Sequence, residues 1–185
     1  MSPKLIVALA AGLSLSVAAG TAAQAQMPTA KTEKTVQVGG APMFPSKTIV
    51  QNAVNSRDHT TLVAAVKAAG LVDTLSSPGP FTVFAPTNAA FGKLPAGTAD
   101  TLVKPENKGT LTKVLTYHVV PGRLSAMDLQ SKATLRTVQG DILKVTARNG
   151  AVWLTDAKGG TSKVTIPNVY QSNGVIHVVD TVLMP

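Results

Sequence analysis

The sequence predicts an α+β domain on three observations. Apolar residues at helical spacing fill the first half, and short β-branched runs cut by turn dipeptides fill the second. No regular strand–helix–strand alternation joins them, which argues against a parallel α/β sheet.

The elements follow in order. Lys4 gives a charged start, residues 5–19 are small and aliphatic, and Ala23-Gln24-Ala25 supplies a small-x-small cleavage pattern. That run is shorter than the roughly 20 apolar residues a spanning helix needs. Residues 1–25 therefore read as a signal peptide cleaved after Ala25, with no transmembrane anchor left in the mature chain. Residues 26–42, rich in Thr, Lys, Gly and Pro, read as a flexible leader. Order is expected from about Met43, giving one domain over 43–185.

A short helix is expected over Thr48 to Val54. A clearer one follows, with Asp58 as N-cap, Leu62, Val63, Val66 and Ala69 on one face, and Gly70 closing it. Ser77-Pro78-Gly79-Pro80 breaks the chain before the strand Phe81 to Ala85, which Pro86 stops. Thr87-Asn88 caps a helical turn reaching Phe91, and a further helix runs from near Lys108 to Thr116. Strands are then expected over Tyr117–Val120, Leu135–Val138, Ile142–Ala147, Val152–Thr155, Lys163–Ile166 and Val175–Val179. Gly140-Asp141, Asn149-Gly150, Gly159-Gly160 and Asn173-Gly174 mark the turns.

Composition narrows the function. With no Cys there are no disulfides, thiol nucleophiles or thiolate metal sites. The hydrophobic core alone must hold a domain of this size. Without Lys4, 16 Lys plus Arg stand against 9 Asp plus Glu, a formal net charge of +7. The cations are scattered, and only one Trp, two Tyr and four Phe are present, so a nucleic-acid partner is not expected. A diffuse positive field fits an anionic polysaccharide or a charged cell surface, besides plain solubility. No nucleophile elbow, zinc helix, phosphate loop or dinucleotide fingerprint occurs, and Glu33 and Glu106 are the only glutamates. The three His residues lack metal-ligand spacing, so no metal and no cofactor are expected. The chain reads as a non-catalytic module.

Three segments resemble the fasciclin domain family. Phe81-Thr82-Val83-Phe84-Ala85-Pro86-Thr87-Asn88-Ala89-Ala90-Phe91 is similar to its first signature. Tyr117-His118-Val119-Val120-Pro121-Gly122 is similar to its central tyrosine–histidine motif, and Asn173-Gly174-Val175-Ile176-His177-Val178-Val179-Asp180 to its closing one. The resemblance covers roughly 43–185. It implies a β-wedge of short strands with several helices packed around it, secreted or periplasmic, serving cell adhesion or matrix association without a cofactor.

It also implies which residues matter. Tyr117-His118 is the pair linked to adhesion; its other reading is a core Tyr and a His bonded to backbone, which the flanking Val119 and Val120 favour. The segment that contacts integrins in animal relatives matches Pro167-Asn168-Val169-Tyr170, with Asn168 where an acid is expected. An amide there makes integrin-type binding doubtful, and the segment reads as an exposed contact or a plain edge strand. Asn168, Val169 and Tyr170 join Tyr117 and His118 as candidate partner contacts. Phe81, Phe84, Pro86, Thr87, Asn88, Phe91, Gly122, Asn173, Gly174, His177 and Asp180 are expected to be structural. His59 reads as a helix-surface residue without a special role. Binding of a cell-surface protein or anionic polysaccharide through loops and one sheet edge is the leading expectation. A soluble periplasmic carrier or sensor, with a small-molecule pocket between helices and wedge, is the alternative.

Overall fold

The structure, a computed structural model, describes residues 34–185. The expected signal peptide and the first part of the leader lie outside these residues. The described chain opens on an antiparallel hairpin of β1 (Val36–Val38) and β2 (Ala41–Met43). Gly39 and Gly40, both at positive φ, make its turn. Val38 and Met43 are buried in the core, so the leader expectation fails from Val36 onward. Composition hid an apolar pair flanking a Gly-Gly turn.

Helices dominate the next stretch. Thr48 caps α1 (Ile49–Ala53) in a capping box with Gln51. Asp58 does not cap the second helix: it sits inside a 3-10 turn, Arg57–His59, and α2 (Thr60–Ala69) starts after it. The Thr61 N–H is instead taken by Asn88 Oδ1 at 3.0 Å, a cap from a remote segment that no local pattern announces. Gly70 ends α2 at φ 73°. Then come α3 (Val72–Ser76), β3 (Phe81–Pro86), α4 (Asn88–Gly92), α5 (Thr98–Leu102) and α6 (Lys108–Tyr117).

The remaining elements are mostly strands: β4 (Val119–Pro121), β5 (Thr134–Arg136), β6 (Ile142–Arg148), β7 (Ala151–Thr155), β8 (Thr161–Gln171) and β9 (Gly174–Val179), with α7 (Ala126–Ser131) after β4. One seven-stranded sheet runs β4-β3-β9-β8-β7-β6-β5, antiparallel except for the β3–β9 pair. Val138 N–H donates to Val119 O at 2.7 Å, drawing the two outer strands together so that the sheet nearly closes. β8 joins its halves. Register shifts around Ile166, with Asn168 at φ 59°, bend it, so its first residues pair with β7 and its later ones with β9.

Two cores result. Helices α1, α2, α3 and α6 pack Ile49, Leu62, Val66, Leu75 and Leu115 against Val83 and Ala85 of β3 and Ile176 and Val178 of β9. Inside the curled sheet, Phe84, Tyr117, Leu129, Leu143, Leu154 and Leu183 form the second. β3 and β9 thus bury both faces, as parallel strands usually do.

Asn173 and Gly174 hold the junction. Asn173 Oδ1 accepts from Ile49 N–H at 3.0 Å, and its Nδ2 donates to Leu75 O and Ser77 O at 2.7 and 2.9 Å. One side chain therefore ties the start of α1, the end of α3 and the start of β9. A Cβ at Gly174 would overlap the Phe81 carbonyl oxygen and crowd Ile49. Asn173→Ala leaves these buried groups unpaired and is expected to cost about 3 kcal/mol; Gly174→Ala should cost at least as much. Urea denaturation followed by far-UV circular dichroism measures both, and an unchanged midpoint would refute this account of the junction.

Candidate functional site

Tyr117 and His118 are buried, which corrects the expectation that they contact a partner. Tyr117 ends α6 rather than beginning a strand. Its hydroxyl accepts from Ala157 N–H at 3.0 Å and donates to Ile142 O at 3.4 Å, and burial pushes its pKa up. His118 Nδ1 lies 2.7 Å from Val114 O, and its Nε2 accepts from Leu183 N–H at 3.0 Å. A carbonyl on one side and an amide on the other fix the neutral Nδ1–H tautomer. Burial pushes the His118 pKa down to about 4. The pair joins α6 to the β6–β7 sheet and the chain's last residues.

The other two histidines are also inside. His177 Nε2 donates to Leu124 O at 2.8 Å, Nδ1 accepts from Asn168 N–H at 3.3 Å, and the ring stacks on Phe84. His59 is buried too, contrary to its surface assignment, with Nδ1 2.8 Å from Ser56 Oγ. Burial lowers the pKa of both.

The segment Asn168-Val169-Tyr170 pairs with β9 alone, because β7 meets only the first residues of β8, so locally it is an edge, as the plain edge-strand reading expected. Asn168 Oδ1 accepts from Ala126 N–H at 2.8 Å, satisfying the start of α7, and Val169 is buried in the helical core. Val169 is thus inside, and Asn168 is half-buried with its amide oxygen already engaged. Only Tyr170 is exposed. The remaining motif residues lie in joints. Phe84, Pro86 and Phe91 are buried and Phe81 is half-buried. Thr87 Oγ1 caps α4, and Asn88 Nδ2 donates to Arg57 O at 2.8 Å. Gly122, at φ 98°, donates to Pro80 O and accepts from Thr82 Oγ1. Asp180 takes Lys163 N–H at 2.9 Å and pairs with Lys93 at 3.5 Å.

Among the surfaces open to a partner is the outer face of β5–β8. Strand alternation puts Leu143, Val145, Val152, Leu154 and Val164 inside and their neighbours outside. Cross-strand register aligns Arg136 with Ile142, Lys144 with Thr155, Thr146 with Trp153, and Trp153 with Lys163. Residues directly opposite share a face. Arg136, Lys144, Arg148 and Lys163 therefore project together, and among the described residues none of these four is in an ion pair. No carboxylate occupies an outward position on these strands. The Asn149-Gly150 turn, with φ 50° and 73°, closes the β6–β7 hairpin in the primed form that fits strand twist. Beside it a cleft of about 300 Å³ is lined by Thr146, Arg148, Asn149, Trp153, Thr155 and Thr161. Sequence reasoning missed Trp153, the only tryptophan; its outward place in an alternating run was the available signal.

A second opening lies between α1, α2, α3 and β3. It is a nearly wholly apolar cavity of about 50 Å³, with Ser56, His59 and His118 among its lining.

Fold and site together define an α+β wedge whose sequence motifs lie in its joints and whose outer sheet face carries four of its cations. The family model of the fasciclin domain matches residues 57–185, and the chain belongs to the fasciclin family. Protein sll1483 of Synechocystis sp. is 46% identical over 180 residues, 97% of this chain and 96% of that one. Immunogenic protein MPT70 of Mycobacterium tuberculosis is 42% identical over 138 residues, 72% of this chain and 66% of that one. The fold is shared with a FAS1 domain pair from the insect cell adhesion molecule fasciclin I. That match has a TM-score of 0.69 at 18% identity and covers 83% of this chain and 59% of that one. No helix among the described residues is long and apolar enough to cross a membrane.

Two outcomes follow from the buried motif. Tyr117→Phe leaves the Ala157 N–H without its partner and should cost about 1–2 kcal/mol in urea denaturation while leaving surface binding intact; lost binding by the folded variant would restore the motif as a contact. Acid should also weaken the fold. Between about pH 6.5, the ordinary histidine value, and about 4 for His118, the unfolded chain takes up a proton that the folded chain refuses. Stability is therefore full above pH 6.5 and declines as pH falls towards 4, His118 alone accounting for a loss of about 3 kcal/mol. Denaturation midpoints measured across that window check it, and a flat profile would contradict it.

Proposed function

We propose that this chain is an exported, non-catalytic surface-interaction module that adheres to acidic polysaccharide at a cell surface through the outer face of β5–β8. The observation that carries the reading is the alignment of Arg136, Lys144, Arg148 and Lys163 on one sheet face without a carboxylate among them. Such a face repels cations, attracts polyanions, and acts within a Debye length of roughly 10 Å at ordinary salt. The fold shared with a domain pair from an insect cell adhesion molecule supports the adhesive role.

A face is better suited to this than an edge, because the outer strands β4 and β5 approach each other through the Val138–Val119 bond. The carrier alternative has less room. Ligand pockets measure roughly 300–1,000 Å³, whereas the apolar interior cavity is about 50 Å³.

Each exposed contact contributes below about 1 kcal/mol. Replacing Arg136, Lys144 and Lys163 together by Gln is thus expected to weaken retention on immobilised polyuronate and on intact cells about 10- to 100-fold. High salt should do the same to the unaltered protein. Retention unaffected by both changes would overturn the proposal.

A further inference from the structure

Building on the surface-binding reading, we infer that the cleft beside the Asn149-Gly150 turn is a saccharide subsite, which seats one acidic pyranose ring of a uronic-acid polymer against Trp153 with its carboxylate on Arg148. The cleft's lining is a tryptophan, an arginine, an amide and three threonine hydroxyls. That is the complement a uronic acid needs. An aromatic face carries partial negative charge and attracts the C–H side of a pyranose. Hydroxyls and an amide both donate and accept, as sugar hydroxyls do. The planar guanidinium fork matches a carboxylate in two parallel hydrogen bonds.

Placement supports this over a purely structural role. Trp153 is partly exposed in mid-sheet, while the alternate positions Val152 and Leu154 fill the core. Trp153 thus buries part of its ring against its strand neighbours while leaving the rest open to the cleft. Cross-strand packing on Thr146 and Lys163 is the structural use, worth roughly 0.2–1 kcal/mol, and many smaller residues supply it. Lys163 Nζ flanks the ring from β8, 5.9 Å from its centroid, adding a second cation within reach of an acidic chain. Arg148, opposite Ala151, has no large residue facing it across the hairpin. The cleft's volume of about 300 Å³ lies at the lower end for ligand sites, enough for one ring rather than a deep substrate. Its walls are paired strands and a tight primed turn, so little ordering cost attends binding.

The chemistry separates a sugar site from a plain charge effect. The full-length protein is titrated with oligogalacturonate, with neutral dextran oligosaccharide, and with polyglutamate, which carries carboxylates without sugar rings. Tryptophan fluorescence reports directly on the cleft, because Trp153 is the only tryptophan. Oligogalacturonate is expected to shift or quench the emission saturably, dextran to act at least tenfold more weakly, and polyglutamate to bind without a saturable spectral change. Trp153→Ala should lose oligogalacturonate binding at least tenfold by calorimetry and keep its polyglutamate binding; Trp153→Phe should recover part of the loss. Oligogalacturonate binding that leaves the emission unchanged and survives Trp153→Ala would overturn the subsite and leave the electrostatic reading standing. Binding of neither polyanion would overturn both.

Discussion

The parallel pairing of β3 with β9, clamped by Asn173, is the constraint on which the rest of the molecule depends. It joins segments from opposite ends of the domain; Asn173 lies 98 residues beyond the Leu75 carbonyl it binds. Closing so long a loop is entropically unfavourable, and the closure returns a strand pair buried on both faces. Once it forms, α1 and α3 have their ends held by one amide, β4 pairs on one side, and β8 pairs on the other. A side chain larger than hydrogen at Gly174 cannot be accommodated beside the Phe81 backbone. The resemblance to the family's first and closing signatures therefore has a physical basis: each supplies one of the two central strands.

The same logic accounts for the tyrosine–histidine pair. A buried polar group must find a partner or weaken the fold. Tyr117, His118 and His177 each satisfy backbone groups that regular secondary structure leaves open: Ala157 N–H, Leu183 N–H and Leu124 C=O. They act as joints between the helical layer, the curled sheet and the chain's last residues. That use consumes them, because a hydroxyl already held between an amide and a carbonyl has no face left for a partner. Recognition then falls to surfaces the joints do not occupy.

Much of the fold was legible in sequence, and the misses share a cause. The strand runs over 142–147, 152–155 and 175–179 were readable because alternation and turn dipeptides are local signals. Helices α3, α5 and α7 span five or six residues, too few for a 3.6-residue period to declare itself. The expected strand ran from Lys163 to Ile166; β8 instead continues through a bulge to Gln171, with Pro167 placed where the ladder is already irregular. The cap of α2 comes from Asn88, and no window around Asp58 contains that information. The candidate site was harder. Its residues alternate correctly along each strand, but only the register across β5, β6, β7 and β8 brings Arg136, Lys144, Arg148, Trp153 and Lys163 together.

The division between interior and exterior also bears on how such a module meets a polymer. An apolar cavity of about 50 Å³ gains nothing from a repeating, hydrated chain. On the proposed reading, a curved, cation-bearing face would meet several repeats at once, so weak contacts would add through effective concentration rather than through one deep pocket. The Val138–Val119 bond draws the outer strands together and so covers part of the edge that strand addition would use. The outer face of β5–β8 is an extended surface with four cations and no carboxylate on its strands. Its rigidity comes from the interior residues directly beneath it: Leu143 and Leu154, fully buried, fix the pleat that points Lys144 and Trp153 outward. Core packing and recognition are thus two sides of the same strands, and a one-residue slip in register would turn one into the other.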